Sequence, residues 1–72
     1  MSKLHSSSAV IKVLQKEGFI YISQKGSHVK FRKAGSPVLT VIVPAGKKEI
    51  PLGTFKSIMR QADLTESDFK KK

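Results

Sequence analysis

The stretch Phe19-Ile20-Tyr21-Ile22-Ser23-Gln24-Lys25-Gly26-Ser27-His28-Val29-Lys30-Phe31-Arg32 reads as two strands and the turn between them. Phe19 to Ser23 is aromatic and β-branched, the composition of a pleated segment. Lys25-Gly26 supplies the hairpin turn. His28 to Arg32 then alternates strictly between polar and apolar side chains. At the two-residue period of a strand, Val29 and Phe31 point to one face, and His28, Lys30 and Arg32 to the other. The hairpin thus has one face made for burial and one that sets a histidine in line with lysine and arginine.

Working outward, Ser6-Ser7-Ser8 offers N-cap residues for a helix whose apolar face holds Val10, Ile11 and Leu14, with Val13 on its flank. Gly18 suits the left-handed position that ends such a helix. On the other side, Ala34-Gly35-Ser36-Pro37 is a turn, and Val38 to Val43 forms a third strand. Pro44 lacks a ladder donor and ends it. A loop from Ala45 to Gly53 leads to Thr54, read as the cap of a second helix. There Phe55, Ile58, Met59 and Ala62 recur at helical spacing and should pack on the Val29 and Phe31 face. Lys56 and Arg60 lie off that stripe, toward water. Thr65 and Asp68 resemble a capping box for a short C-terminal helix.

The order is α-β-β-β-α, an α+β fold with a three-stranded antiparallel sheet and two helices on one face. The face bearing His28 is expected to stay free. All 72 residues make one domain, residues 1–72, with 1–5 a loose arm and 70–72 a loose tail. So short a chain buries only about 60% of its unfolded surface, which leaves no room for a deep enclosed cavity beside the core.

Composition narrows the chemistry. Fourteen Lys and Arg against five Asp and Glu leave a net charge of +9, a large positive field for so small a surface. Nucleic acid is the leading partner for such a surface, with an anionic membrane or an acidic protein as the other possibilities. No apolar run is long enough to cross a bilayer and no secretory signal is evident, so the expected location is the cytoplasm. With no cysteine, disulfides and thiolate metal sites are excluded. Two histidines far apart in the pattern, His5 and His28, make no zinc ligand set. Neither a metal nor a cofactor is expected. Ser27 and His28 fall on alternate sides of a strand with no acid placed to complete a triad, and the scattered carboxylates form no acid pair.

What stands out is a basic constellation. Lys25, Lys30 and Arg32 accompany His28, Lys47 and Lys48 sit in the loop, and Lys56 and Arg60 lie on the second helix. Charged residues ordinarily just face water, but alternation puts three of these basic groups on one sheet face with almost no acid to neutralise them. Gly53-Thr54 adds free N–H groups at a helix start, a weak phosphate signal. Gly26-Ser27 lacks the spacing of a Walker loop. Phe19 and Tyr21 could stack on bases but are expected to divide between core and edge.

Gln24-Lys25-Gly26-Ser27-His28, Val41-Ile42-Val43-Pro44, Gly53-Thr54-Phe55-Lys56-Ser57-Ile58 and Arg60-Gln61-Ala62 together resemble the HicA toxin family of small mRNA interferases. The likeness runs from about Ser8 to Phe69. It implies a fold like that of double-stranded-RNA-binding domains and a ribosome-independent endoribonuclease acting on mRNA. It also implies a HicB antitoxin that covers the active face, and a catalytic role for His28 in the Gly-Ser-His motif. Lys25, Gly26, Ser27, Lys30, Arg32, Lys47, Lys48, Lys56 and Arg60 are the candidate RNA contacts. The free toxin is expected to be a monomer. In one respect the chain departs from the pattern. Many relatives carry a second histidine just after the proline that ends the third strand, whereas here Ala45 and Gly46 follow Pro44. Any part played by that histidine is missing, or falls to Lys47 or Lys48.

Metal-free RNA cleavage can use the substrate's own 2′-hydroxyl as nucleophile. It needs a base for that hydroxyl, positive charge for the transition state and an acid for the leaving oxygen. Cations around an imidazole favour its neutral form, so His28 is read as the base. Lys30 and Arg32 then hold the phosphate, and water or a lysine supplies the last proton. The competing reading is a non-catalytic RNA-binding module of the same fold. A duplex binder of this type spreads contacts over about 16 base pairs, yet the first helix offers little beyond Lys12 and Lys16.

Overall fold

The computed structural model describes residues 4–70. Its elements are α1 (Ser7–Lys16), β1 (Ile20–Lys25), β2 (His28–Lys33), β3 (Leu39–Pro44), α2 (Leu52–Ala62) and α3 (Glu66–Lys70). The strands form one antiparallel sheet in the order β1-β2-β3. This is the expected α-β-β-β-α architecture, with the short C-terminal helix added. Among the described residues no helix is long and apolar enough to cross a membrane.

Local chemistry accounts for most boundaries. The Ser6 hydroxyl accepts from the Ala9 N–H at 3.1 Å and caps α1. At the other end Gly18 takes φ +100°. Its N–H donates to the Gln15 carbonyl and that of Phe19 to the Leu14 carbonyl, a Schellman ending that delivers Phe19 into the core beside Leu14. The hairpin turn is Gly26-Ser27, with Gly26 at φ +59° and Ser27 not at positive φ, as in a type II′ turn. The side-chain amide of Gln24 donates to the Gly26 carbonyl and braces it. Gly26→Ala meets no steric obstacle, so its cost is the left-handed backbone alone, about 1–2 kcal/mol. A thermal melt checks this, with the fold unchanged below the transition.

Alternation holds along β2, where Val29 and Phe31 are buried and His28 and Arg32 exposed. Val41 and Val43 of β3 join them under α1 and α2, with Val10, Leu14, Ile50, Phe55, Ile58 and Ala62 in the same cluster. Thr65 and Asp68 form the expected box: the Thr65 N–H donates to the Asp68 carboxylate at 2.8 Å. It sets up α3, whose Phe69 packs edge-on against Phe55.

Some expectations shift. The first strand begins at Ile20 and runs to Lys25, because the helix ending consumes Phe19. It is exposed along its whole length and carries a bulge between Tyr21 and Ser23. Tyr21 stays 56% exposed and meets Phe31 edge-on, while Phe19 is buried, so the two divide between edge and core as expected. The third strand runs from Leu39 and includes Pro44. The second helix does not start at Thr54. Pro51 occupies the cap position with no side-chain hydrogen bond, and its preset φ of −55° turns the chain into a helix three residues earlier.

His5 does not belong to a loose arm. Its carbonyl accepts from the Ile50 N–H at 2.7 Å, and its ring stacks on Phe55 at 4.7 Å between centroids. Lys70 likewise closes α3 and is not tail. Residues 1–3 and 71–72, the rest of the expected arm and tail, lie outside the described residues.

Candidate functional site

The site begins with register. His28 opens β2 and pairs with Lys25 on one side and Pro44 on the other. The Ala45 N–H donates to the Ser27 carbonyl at 2.7 Å, fastening the hairpin turn to the chain leaving β3. The loop after Pro44 is therefore held beside His28.

Ser7 holds the loop from the opposite side. It is 4% exposed, and its hydroxyl donates to the Pro44 carbonyl at 2.6 Å while accepting from the Lys47 N–H at 2.9 Å. The Ser7 N–H in turn donates to the Lys47 carbonyl. Ser7→Ala leaves a partly buried carbonyl and N–H without that partner, at a cost of about 1 kcal/mol. Denaturant unfolding measures the loss, and the amide resonance of Lys47 should move more than those of β1.

Between the His28 end of the sheet and α2 lies a groove of about 370 Å³. Ile42, Pro44, Pro51 and Ile58 give it apolar surface. His28, Lys47, Thr54, Ser57 and Gln61 supply the polar groups. No acidic side chain lines it among the described residues. The face bearing His28 is thus not wholly free, because α2 runs along the outer edge of β3 and raises a wall there. The bond that sets this wall runs from the Ile42 N–H to Gln61 Oε1 at 3.1 Å.

The predicted residues distribute unevenly. His28 and Lys47 meet at the groove. Lys30 and Arg32 stand on the same sheet face, about 7 and about 13 Å along the strand from His28. Lys25 pairs directly with His28. Gly26 and Ser27 form the turn that positions it. Lys48, Lys56 and Arg60 are exposed but line no part of the groove. Gly53 lies inside the first turn of α2, and Thr54 contributes to the wall.

Sequence reasoning missed Thr54, Ser57 and Gln61. They fall at i, i+3 and i+7, an uncharged polar stripe between the core face of α2 and its cationic face. That lack of charge was the available signal.

The family model for the HicA toxin of bacterial toxin–antitoxin systems matches residues 7–64. The chain belongs to the HicA toxin family. The match takes in α1, the whole sheet and α2, and so every residue of the groove. A search among curated proteins finds no match. As a HicA-family toxin, the chain implies a cognate antitoxin. Among the described residues no three His, Cys, Asp or Glu side chains cluster as a metal site would require, so the polar chemistry of this HicA chain at the groove is that of imidazole, ammonium, hydroxyl and amide.

Proposed function

We propose that this HicA-family chain is a metal-independent endoribonuclease acting on mRNA in the cytoplasm, with His28 as its general base. The observation that carries this reading is the placement of His28: exposed, at the mouth of an acid-free groove, with Lys47 beside it and Lys30 and Arg32 on the same sheet face. RNA brings the anion that such a surface lacks.

In the reaction, His28 takes the proton of the 2′-hydroxyl as O2′ attacks the adjacent phosphorus. The bond from phosphorus to the 5′-oxygen breaks and leaves a 2′,3′-cyclic phosphate. Lys30, about 7 Å along the strand, is near enough to stabilise the charge on that phosphorus. Arg32 lies farther and serves a neighbouring phosphate. Lys47 or water protonates the leaving 5′-oxygen. Lys25, Lys48, Lys56 and Arg60 extend the positive field that draws the strand in, and the Gly26-Ser27 turn holds His28 in place. A HicB-type antitoxin covering the His28 face would silence all of these groups together.

Replacing the attacking 2′-hydroxyl with hydrogen tests the mechanism. Cleavage at that nucleotide should vanish while affinity stays nearly unchanged, measured in a chelating buffer. Equal cleavage of the deoxy substrate refutes nucleophilic attack by the 2′-oxygen.

A further inference from the structure

We propose that the groove between His28 and α2 receives the unpaired base of one RNA nucleotide, and that the Gln61 side-chain amide is the group that holds it. This deepens the ribonuclease reading of His28 and rests on it for the identity of the strand.

The orientation of Gln61 follows from chemistry. A backbone N–H can only donate, so the atom facing Ile42 must be the carbonyl oxygen of the amide. Its NH₂ group is thereby turned away from the strand edge, and it has no hydrogen-bond partner among the described residues. The hydroxyls of Ser57 and Thr54, one and two helical turns earlier on the same wall, are likewise unengaged there. One fixed donor and two adaptable hydroxyls therefore converge on the groove.

Its other surfaces decide what fits. Ile42, Pro44 and Pro51 offer apolar contact, which suits the flat face of a base and gives nothing to a phosphate. Lys47 and His28 lie at the same groove, where the sugar and phosphate of that nucleotide would sit. Bases in a duplex turn inward to their partners, so only a single-stranded or splayed nucleotide can enter. At about 370 Å³ the space falls at the small end of ligand pockets, enough for one nucleotide unit.

The test uses binding, so that it does not depend on turnover. A short single-stranded RNA is titrated into the His28→Ala variant, alongside versions carrying one abasic ribose at each position in turn. One position should stand out, its abasic form binding about tenfold more weakly. Gln61→Glu keeps an acceptor for the Ile42 N–H and replaces the NH₂ donor with an oxygen. It should reduce that position-specific difference to less than twofold while the Ile42 amide resonance stays near its wild-type shift. Ser57→Ala, which breaks no internal hydrogen bond, should shrink the difference in part. Loss of affinity spread evenly over all abasic positions overturns the proposal. So does a difference that survives Gln61→Glu, and then the base is held by other groups than the Gln61 amide. If wild-type protein cleaves no RNA, the catalytic reading fails by itself, and the abasic series still decides this one.

Discussion

His28→Ala is expected to lower RNA cleavage by about 10²–10⁴-fold, the range of one general base, while the protein stays folded and keeps binding RNA. The imidazole is exposed and takes no hydrogen bond from the described residues. Its removal opens no cavity, because the neighbouring Val29 carries the packing at that point of β2. Single-turnover cleavage of a mixed-sequence RNA, with a chelator present, measures the first effect. Filter binding and a thermal melt measure the others. Unchanged cleavage removes His28 from the mechanism. A variant that melts far below wild type contradicts its surface placement. Binding without cleavage in both proteins leaves an RNA-binding module in place of a nuclease.

Phe31→Ala should do the opposite, destroying the fold and the site with it. Phe31 is 2% exposed at the centre of the sheet, on the strand that presents Lys30 and Arg32 on its other face. Emptying such a position costs about 3–5 kcal/mol. A domain of this length has about 4–11 kcal/mol in total. Much of the population should therefore unfold near room temperature, and a urea titration should show the midpoint shifted strongly or no folded baseline at all. Tyr21→Ala is the internal comparison. Its ring touches Phe31 edge-on but remains more than half exposed, so the loss should stay near 1 kcal/mol. Similar losses for the two would mean that the β1 edge is buried as deeply as the centre of the sheet, contrary to the burial pattern of β1.

What could be read in advance was chemistry local in the chain. The alternation of Val29 and Phe31 with His28, Lys30 and Arg32 decided which face of β2 was buried. Gly18 marked a helix end, and Thr65 with Asp68 marked a helix start. The start of α2 was misplaced because Thr54 is a good cap by type, whereas Pro51 acts by backbone geometry alone. The groove was not legible, for a different reason. It forms where α2 meets the edge of β3, through a bond from Ile42 to a residue 19 positions later. Ser7 looked like one of three equivalent serines until the fold brought Pro44 and Lys47 to its hydroxyl. Short-range patterns carry no information about which polar side chain meets which distant backbone group.

The Ser7 contact bears on motion as well as on shape. A loop such as 45–51 would ordinarily open on its own, at little cost, many times for each global unfolding event. Here the first turn of α1 grips it at Lys47, and His5 grips it again at Ile50. The Lys47 backbone cannot move away from the His28 end of the sheet unless the start of α1 lets go. The loop consequently shares the cooperative unit of the core and is not a hinge. Any partner that silences this site must cover a rigid surface, because the loop offers none that it could fold away.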